Sequence, residues 1–300
     1  MIKTLILLNA MFLFSPFAEG QGAGAAAKQA IPISTQALLS GVKSPERKGV
    51  IKSVLMIQCP KDHAKGTGFV ISGGHVITTN SHVVGSCRVE DLVGVSAVSD
   101  EPVKFSSMVR DTDRDLALLC TNKPLPFVLK LSGSERPQIE TEVETWGYPL
   151  CYESPAPVLS RGYVAGYWTE VRPQPNGEAG TPVEHLIVNG ALNPGNSGGP
   201  LVERTTGRVI GIVVEKWGLF SPLVETVITA LQHSRTMTLG GVQVTDADGV
   251  TKGVTNEIAV AAALKEIYDK SQVMVGEAIS VSELNAFIKD KRQELACGTH

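Results

Sequence analysis

The sequence predicts an all-β protein built from two β-barrels, with a partly helical insertion and a C-terminal helix. From Val50 onward, short runs rich in β-branched residues alternate with turn signals, at the spacing of strands in barrels and sandwiches. These runs are too many for one small barrel, and the segment Ser132–Gln138 divides them into two groups. The chain is 43% hydrophobic and 19% charged, which suits a folded core and excludes a disordered protein.

The first twenty residues have the pattern of an export signal. Lys3 gives a positive start, an apolar stretch follows, and Ala18 and Gly20 place small residues at a cleavage site. Asn9 interrupts the apolar stretch, which is short for a bilayer span; an uncleaved membrane anchor is the alternative. We therefore expect cleavage near Gly20 and a secreted or periplasmic protein with no stable membrane insertion.

Residues 21–48 are expected to form a linker or a pro-segment. They are rich in Ala, Gly, Ser and Pro and show no strand periodicity. The alternative is an ordered helix around Thr35–Val42. Composition does not distinguish a retained linker from a propeptide.

The two predicted barrels fill most of the remaining chain, from residue 49 to residue 296. The first barrel is expected over 49–131, and the second over 132–218 and 273–296. Between the two parts of the second barrel, apolar residues at helical spacing flank a hairpin pattern. Residues 219–272 are therefore predicted to be an insertion.

Charge and residue spacing exclude several classes of function. The net charge is −3 without a long basic run, which argues against a general nucleic-acid binder. The stretch Cys59–His63 and the scattered histidines lack the paired spacing of metal ligands. We therefore predict no metal and no cofactor.

Five cysteines would lie in an oxidising compartment after export. An odd number leaves at least one unpaired, and spacing alone does not fix the pairing. We expect Cys59–Cys87 as one pair, because each cysteine lies beside a predicted strand of the first barrel.

The stretch LNPGNSGGPLV surrounds Ser197 with glycines before an apolar strand begins. A plain glycine turn is one interpretation. The other is that Ser197 is a nucleophile and that the glycines let backbone N–H groups converge on a reacting oxygen. The second interpretation needs a base and an orienting acid elsewhere in the chain.

His82 and Asp115 are the candidates for that base and acid. His82 follows the apolar strand of GHVITTNSHVV, where a side chain can face a cleft, although an ordinary core or surface histidine is the alternative. Asp115 directly precedes a buried apolar run and would need a partner there, for which a histidine N–H is suitable. Asp111 and Asp113 are alternatives that we interpret as solvated loop charges.

These residue types support one mechanism. A serine hydroxyl attacks well only when a neutral imidazole accepts its proton, and a carboxylate fixes the imidazole tautomer and stabilises its cation. Backbone N–H groups of Gly195 and Ser197 would hold the oxyanion.

Four segments then resemble the chymotrypsin-like serine peptidases and, among them, the HtrA/DegP-like branch. They are GTGFVIS…HVITTNSHVV, DRDLALL, WGYP…SRGYVAG and NPGNSGGPLV…GRVIGI, and GEAISVSELNAFI is similar to that family's closing strand and helix. The resemblance covers about Val50–Trp217 and Val273–Arg292. It implies two six-stranded β-barrels, a cleft between them, and a catalytic triad of His82, Asp115 and Ser197.

The sequence departs from the wider family at three places. Asn196 stands where digestive trypsins have an aspartate that pairs with a new N-terminus, so activation by that ion pair is not expected. We expect no PDZ domain after the peptidase unit, unlike in most HtrA proteins. Residues 219–272 are inserted where the fold approaches the substrate pocket, and they either shape specificity or decorate the surface.

The resemblance also locates the specificity pocket. Ala191 is expected at its floor, with Val213, Val214 and Gly276 in its walls. These residues carry no charge, so we predict a small or medium apolar substrate side chain before the scissile bond. If the side chain of Glu215 or Lys216 faced into the pocket, it would add a charge there and change this preference.

We therefore predict a serine endopeptidase that cleaves polypeptide substrates outside the cytoplasm through an acyl-enzyme. The alternative is a proteolytically inactive binding or chaperone-like protein on the same fold. Ester cleavage or processing of a single polyprotein site is a third interpretation. The sequence does not indicate the oligomeric state.

Overall fold

The computed structural model describes most of the two predicted barrels and parts of the flanking segments. Within these residues, no helix is long and apolar enough to cross a membrane. The described residues are 35–62, 64–99, 101–133, 135–150, 156–172, 179–216, 241–245, 251–255, 260–261, 264, 275–291, 293–295 and 297. The predicted export signal lies outside them.

The first barrel region forms a six-stranded antiparallel sheet. Its strands are β1 (Val54–Cys59), β2 (Ala64–Ile71), β3 (Val76–Asn80), β4 (Val93–Ser96), β5 (Ser107–Asp111) and β6 (Leu116–Cys120). They pair in the order β4-β1-β2-β3-β6-β5. All six strands fall within the range expected for the first barrel.

The second barrel is closed and uses residues from both sides of the predicted insertion. Its strands are β7 (Glu142–Gly147), β8 (Val158–Glu170), β9 (Val183–Gly190), β10 (Pro200–Glu203), β11 (Val209–Lys216) and β14 (Val275–Ser280), two strands of the insertion preceding the last. They pair in the order β10-β11-β14-β9-β8-β7. The all-β fold class is confirmed.

The apolar run of β6 is buried on both faces. Leu116 and Leu118 pack against a central cluster between the barrels, while Ala117 and Leu119 pack inside the first barrel. A strand buried on both faces needs no polar alternation, which explains the continuous run. By contrast, β5 is half-buried throughout and has no apolar signal, so the sequence did not predict it.

The central cluster joins the two barrels and is covered by the C-terminal helix α4 (Val281–Lys291). Phe69 from β2 and Ile212 from β11 meet there, and α4 contributes Leu284 and Phe287. These two helix residues are three positions apart and share one face. The cluster fixes the two barrels relative to each other.

Two helices precede the first strand, where a linker or pro-segment was expected. They are α1 (Thr35–Gly41) and α2 (Pro45–Ser53), so the helical alternative for this stretch is the one present. Ser44 caps α2 by accepting a hydrogen bond from the backbone N–H of Arg47. Leu38, Leu39 and Val42 pack against the central cluster, and this apolar contact stabilises the helical segment.

Arg47 connects α2 to the second barrel. Its Nε lies 3.0 Å from both carboxylate oxygens of Glu144, whose side chain is only 3% exposed. Arg161 and Arg204 lie farther from the same carboxylate, at 3.6 and 3.8 Å. Arg47 is therefore the main counter-ion of a buried charge.

We expect Arg47→Met to lower the free energy of unfolding by about 2–3 kcal/mol, less than a fully orphaned buried charge because two arginines remain nearby. Urea unfolding followed by fluorescence measures the change. Arg88→Met is the matched control, since Arg88 makes only exposed ion pairs with Glu90 and Asp91. Equal effects of the two substitutions would contradict the role assigned to Arg47.

The chain divides into two compact units, one holding residues 31–217 and 272–300, the other including the insertion. Within the insertion, the predicted hairpin is present as β12 (Gly241–Thr245) and β13 (Thr251–Thr255), paired antiparallel. The helix predicted before this hairpin lies outside the described residues.

Two disulfides are present in the described part of the chain. Cys59–Cys87 is the pair expected from the sequence, and it links the end of β1 to the loop after α3 (Ser81–Val84). Cys120–Cys297 ties the C-terminal residues to the end of β6. The fifth cysteine, Cys151, lies outside the described residues.

Candidate active site

His82 is the second residue of α3, the single helical turn that begins where β3 ends. Its neighbours Ser81 and Val83 are buried, whereas its own side chain is 48% exposed. The turn therefore presents the imidazole to solvent while the backbone stays anchored. A core histidine would not be available to a reactant in this way.

Asp115 holds His82 through both carboxylate oxygens. Oδ2 lies 2.6 Å from His82 Nδ1, and Oδ1 accepts the backbone N–H of His82 at 2.9 Å. The main-chain carbonyl of Asp115 accepts the N–H of Ser81 and the amide of Asn80. The aspartate is nearly buried, so its charge is directed at the imidazole and fixes the ring orientation.

The backbone of Asp115 has an uncommon conformation, with φ at +54°. Non-glycine residues rarely adopt this region, and aspartate and asparagine tolerate it best. The contacts with α3 over-determine the conformation, which places the carboxylate under His82.

The two alternative aspartates occupy different surroundings. Asp111 Oδ2 pairs with Arg114 at 2.6 Å, and its Oδ1 accepts backbone N–H groups of Asp113 and Arg114. Asp113 is exposed. Of the three carboxylates, Asp115 is the one in contact with His82.

Arg110 fastens the other end of α3. Its guanidinium donates to the carbonyls of Gly85 and Ser81 and to the Ser81 hydroxyl, at 2.7–3.2 Å. A helical turn this short has no internal stability of its own. Arg110 and Asp115 together hold the turn that carries His82.

Ser197 lies on a loop whose backbone conformation requires glycine at two positions. Gly195 and Gly198 have φ of +95° and +81°. A Cβ at Gly195 would lie 2.4 Å from the carbonyl oxygen of Tyr148, and one at Gly198 would lie 2.1 Å from that of Thr67. Both the conformation and the close approach therefore exclude side chains at these positions.

The Ser197 loop packs directly against the segment that carries His82. A Cβ at Gly66 would lie 2.6 Å from the Val83 side chain and 3.1 Å from the carbonyl oxygen of Ser197. Gly198 likewise approaches the backbone of Asn80. The structure therefore brings the three predicted triad segments to one place, between the barrels.

Hydrogen bonds to two carbonyls of the loop fix the orientation of two peptide groups. The carbonyl of Pro194 accepts from Leu150 N–H, and that of Asn196 accepts from Gly199 N–H. In a trans peptide the N–H points opposite to the C=O, so the N–H groups of Gly195 and Ser197 point the other way. Within the described part of the chain, neither N–H donates to a protein acceptor.

The Ser197 hydroxyl donates to the main-chain carbonyl of Val214 at 2.5 Å. Attack on a substrate therefore requires the hydroxyl to exchange this acceptor for His82 Nε2. Such loose geometry is common when no substrate is bound.

The predicted pocket residues are only partly placed together. Gly276 is covered by Leu192, whose Cδ1 would lie 2.6 Å from a Cβ at that glycine, and Ala191 is half-buried next to it. Val213 was predicted to line the pocket wall, but its side chain is fully buried inside the second barrel and is not available to a substrate. Val214 packs in the central cluster and offers its carbonyl instead.

Two titrating groups near the site have shifted pKa values. Burial in the central cluster raises the pKa of the Tyr148 phenol, so the phenol stays neutral. A hydrogen bond to Glu170 raises the pKa of Arg172, and the charge of Asp115 acts in the same direction. Arg172 is therefore a permanent cation within electrostatic range of Asp115.

Sequence reasoning missed two residues at this site, Leu192 and Thr67. Leu192 immediately follows the predicted pocket floor, and Thr67 stands between the glycines Gly66 and Gly68. Two glycines flanking one residue in a strand signal close backbone approach, which could have directed attention to Thr67.

Comparisons with known proteins agree with the fold. Residues 66–212 match the family model described as trypsin-like peptidase domain. The chain is 35% identical over 148 residues to a probable periplasmic serine endoprotease DegP-like of Pseudomonas putida, covering 49% of this chain and 28% of that protein. It is 26% identical over 187 residues to protease Do-like 4, mitochondrial, of Arabidopsis thaliana, covering 58% and 34%.

A solved structure shares the fold. The inactive form of the protease Rv3671c from M. tuberculosis aligns with a TM-score of 0.55 at 18% identity, covering 90% of this chain and 98% of that one. The chain spans about a third of the length of the curated relatives it matches.

Proposed function

We propose that the trypsin-like peptidase domain of this chain, a serine-type hydrolase domain of the HtrA/DegP-like branch, is an active serine endopeptidase that uses His82, Asp115 and Ser197. The observation that carries the proposal is the contact of 2.6 Å between His82 Nδ1 and Asp115 Oδ2, beside the Ser197 loop. This contact leaves Nε2 of the half-exposed imidazole as the atom that can accept a proton.

In the proposed reaction, Ser197 Oγ attacks the carbonyl carbon of the scissile peptide while His82 Nε2 takes its proton. Asp115 stabilises the imidazolium that forms and remains ionised. His82 then returns the proton to the leaving amine, which departs and leaves an acyl group on Ser197. Water, deprotonated by His82, hydrolyses this ester and restores the hydroxyl.

The N–H groups of Gly195 and Ser197 are proposed to bind the oxyanion of both tetrahedral intermediates. Hydrogen bonds hold the carbonyls of Pro194 and Asn196, so the N–H groups in the same peptide planes are already oriented. Donors that are already oriented need no reorganisation during the reaction, which supports this role.

We further propose that Leu192 restricts the residue before the scissile bond to a small or medium apolar side chain. Leu192 is buried in the same cluster of the second barrel as Val213, and it is proposed to act by filling the space next to Gly276, while Ala191 contributes no charge. A long or charged side chain would therefore find neither room nor a counter-ion.

Leu192→Ala is expected to shift the preference toward larger side chains. We compare kcat/KM for substrates with Phe and with Val before the scissile bond. The Phe-to-Val ratio should rise about 10-fold or more over that of wild type, because removal of the leucine side chain beyond Cβ enlarges the pocket. Matched peptides measure the ratio, and Leu201→Ala, which removes a leucine elsewhere inside the second barrel, is the control. An unchanged ratio would refute the role of Leu192.

Extracytoplasmic substrates are the proposed targets. The export signal pattern of residues 1–20, the two disulfides and the periplasmic relatives support this location. The polypeptide substrates themselves are inferred from the peptidase class.

Hydrolysis of casein and of peptide libraries by the exported protein tests the proposal. An active endopeptidase yields discrete cleavage sites after small apolar residues. A well-folded protein that binds unfolded polypeptides without cleaving them would support the inactive, chaperone-like alternative instead.

A further inference from the structure

A threonine of the first barrel forms hydrogen bonds to the loop that carries Ser197. Thr67 lies on β2, is fully buried, and its Oγ1 donates to the carbonyl of Gly195 at 2.7 Å. The same hydroxyl accepts the backbone N–H of Tyr148 at 3.1 Å. Its backbone N–H donates to the carbonyl of Ser197 at 2.8 Å. One residue thus contacts the loop on both sides of Asn196.

The Thr67 hydroxyl holds the peptide plane that lies between the two proposed oxyanion donors, the N–H groups of Gly195 and Ser197. Gly195 joins two peptide planes, and its φ and ψ set the angle between them. Leu150 N–H holds the plane before it through the carbonyl of Pro194, and the Thr67 hydroxyl holds the plane after it. With both planes held, a glycine that is otherwise free to rotate has one orientation.

Asn196 leaves the loop without the ion pair that fixes it in digestive trypsins. Its side chain is 2% exposed, and its Oδ1 has no hydrogen-bond partner within the described residues. An amide oxygen without a partner contributes little to holding the loop. Hydrogen bonds within the loop and from neighbouring segments hold it instead, among them those from Thr67 and Leu150.

We propose that Thr67 is a positioning residue for the oxyanion site, acting through the carbonyl of Gly195. The inference rests on the proposed function, since an oxyanion site has a role only in an active enzyme. Without the hydroxyl, the peptide plane between Gly195 and Asn196 can rotate. The N–H groups of Gly195 and Ser197 lie in the planes on either side of it, so they would no longer keep one relative orientation toward the oxyanion. The loss would fall on the transition state, whereas substrate binding would change little.

The test compares Thr67→Val with Thr67→Ser in steady-state hydrolysis of one peptide. Valine keeps the shape and removes both hydrogen bonds, and we expect kcat to fall about 10- to 100-fold, somewhat less than for removal of a whole donor. KM should stay within about 3-fold. Serine keeps the hydroxyl and should restore kcat to within about 3-fold of wild type.

Thr78→Val is the matched control. Thr78 is equally buried on β3, and its hydroxyl has no hydrogen-bond partner within the described residues. The kcat of the Thr78→Val variant should therefore equal that of wild type. A peptide aldehyde inhibitor, which forms an oxyanion on the enzyme, should lose affinity for Thr67→Val in proportion to kcat. If Thr67→Val does not fold, Thr67→Cys replaces it, because a thiol is a weak donor.

The outcomes separate this inference from the proposed function. No hydrolysis by well-folded wild type would refute the proposed function itself. Activity in wild type with an unchanged kcat in Thr67→Val would refute only the inference. A fall in kcat that serine does not restore would assign the effect to packing and would also refute it.

Discussion

Ser197→Ala is expected to abolish peptide hydrolysis, lowering kcat on the order of 10⁶-fold, as loss of a catalytic nucleophile does in other serine peptidases. The loop would keep its shape, because its conformation depends on Gly195 and Gly198 and on backbone hydrogen bonds. The Val214 carbonyl loses one donor, which costs about 1 kcal/mol of stability. Hydrolysis and thermal unfolding, measured on the same preparation, separate the two effects.

His82→Ala should cost nearly as much, and the double substitution should be no worse than either single one. The serine and the histidine act as one unit in proton transfer, so their effects do not add. Ser99→Ala, at an exposed loop serine, is the control and should match wild type. Hydrolysis that survives in Ser197→Ala would mean that another group is the nucleophile.

Asp115→Asn is expected to lower kcat about 10⁴-fold without unfolding the protein. Asparagine tolerates the positive φ of this position, and its Oδ1 can still accept the backbone N–H of His82. Its amide would then face His82 Nδ1 as a donor. The imidazole would have to carry its proton on Nε2, the atom that must accept the proton of Ser197.

Asp113→Asn is the matched control for Asp115→Asn. Asp113 is an exposed carboxylate two residues away, and its activity should stay within about 2-fold of wild type, as surface changes normally do. The decisive measurement is kcat at neutral pH, with circular dichroism to confirm folding. Comparable losses in the two variants would contradict the assignment of Asp115.

The sequence was sufficient for the features that depend on chemistry at short range. The glycines around Ser197, the strand exit at His82 and the apolar run after Asp115 each had a physical reason, and the structure brings these segments together. The two barrels followed from the number and spacing of strands. The Cys59–Cys87 pair followed from its place beside two predicted elements.

Features that depend on tertiary contact were missed. The side chain of Val213 could not be oriented from the sequence, because the pairing of β11 with β14 contains a bulge between Val213 and Glu215, and one extra residue reverses the side-chain faces. Helix α1 is short and owes its order to packing on the central cluster. Thr67 shows no signal of its acceptor, which lies 128 residues away along the chain.

The most direct test of the central claim is labelling of the exported protein with a fluorophosphonate, followed by mass spectrometry of its peptides. Phosphonylation requires an activated hydroxyl and a formed oxyanion site, so it reports both together. We expect one adduct, on Ser197, that is absent in Ser197→Ala and retained in Ser99→Ala. No adduct on well-folded wild type, or an adduct on another residue, would contradict it.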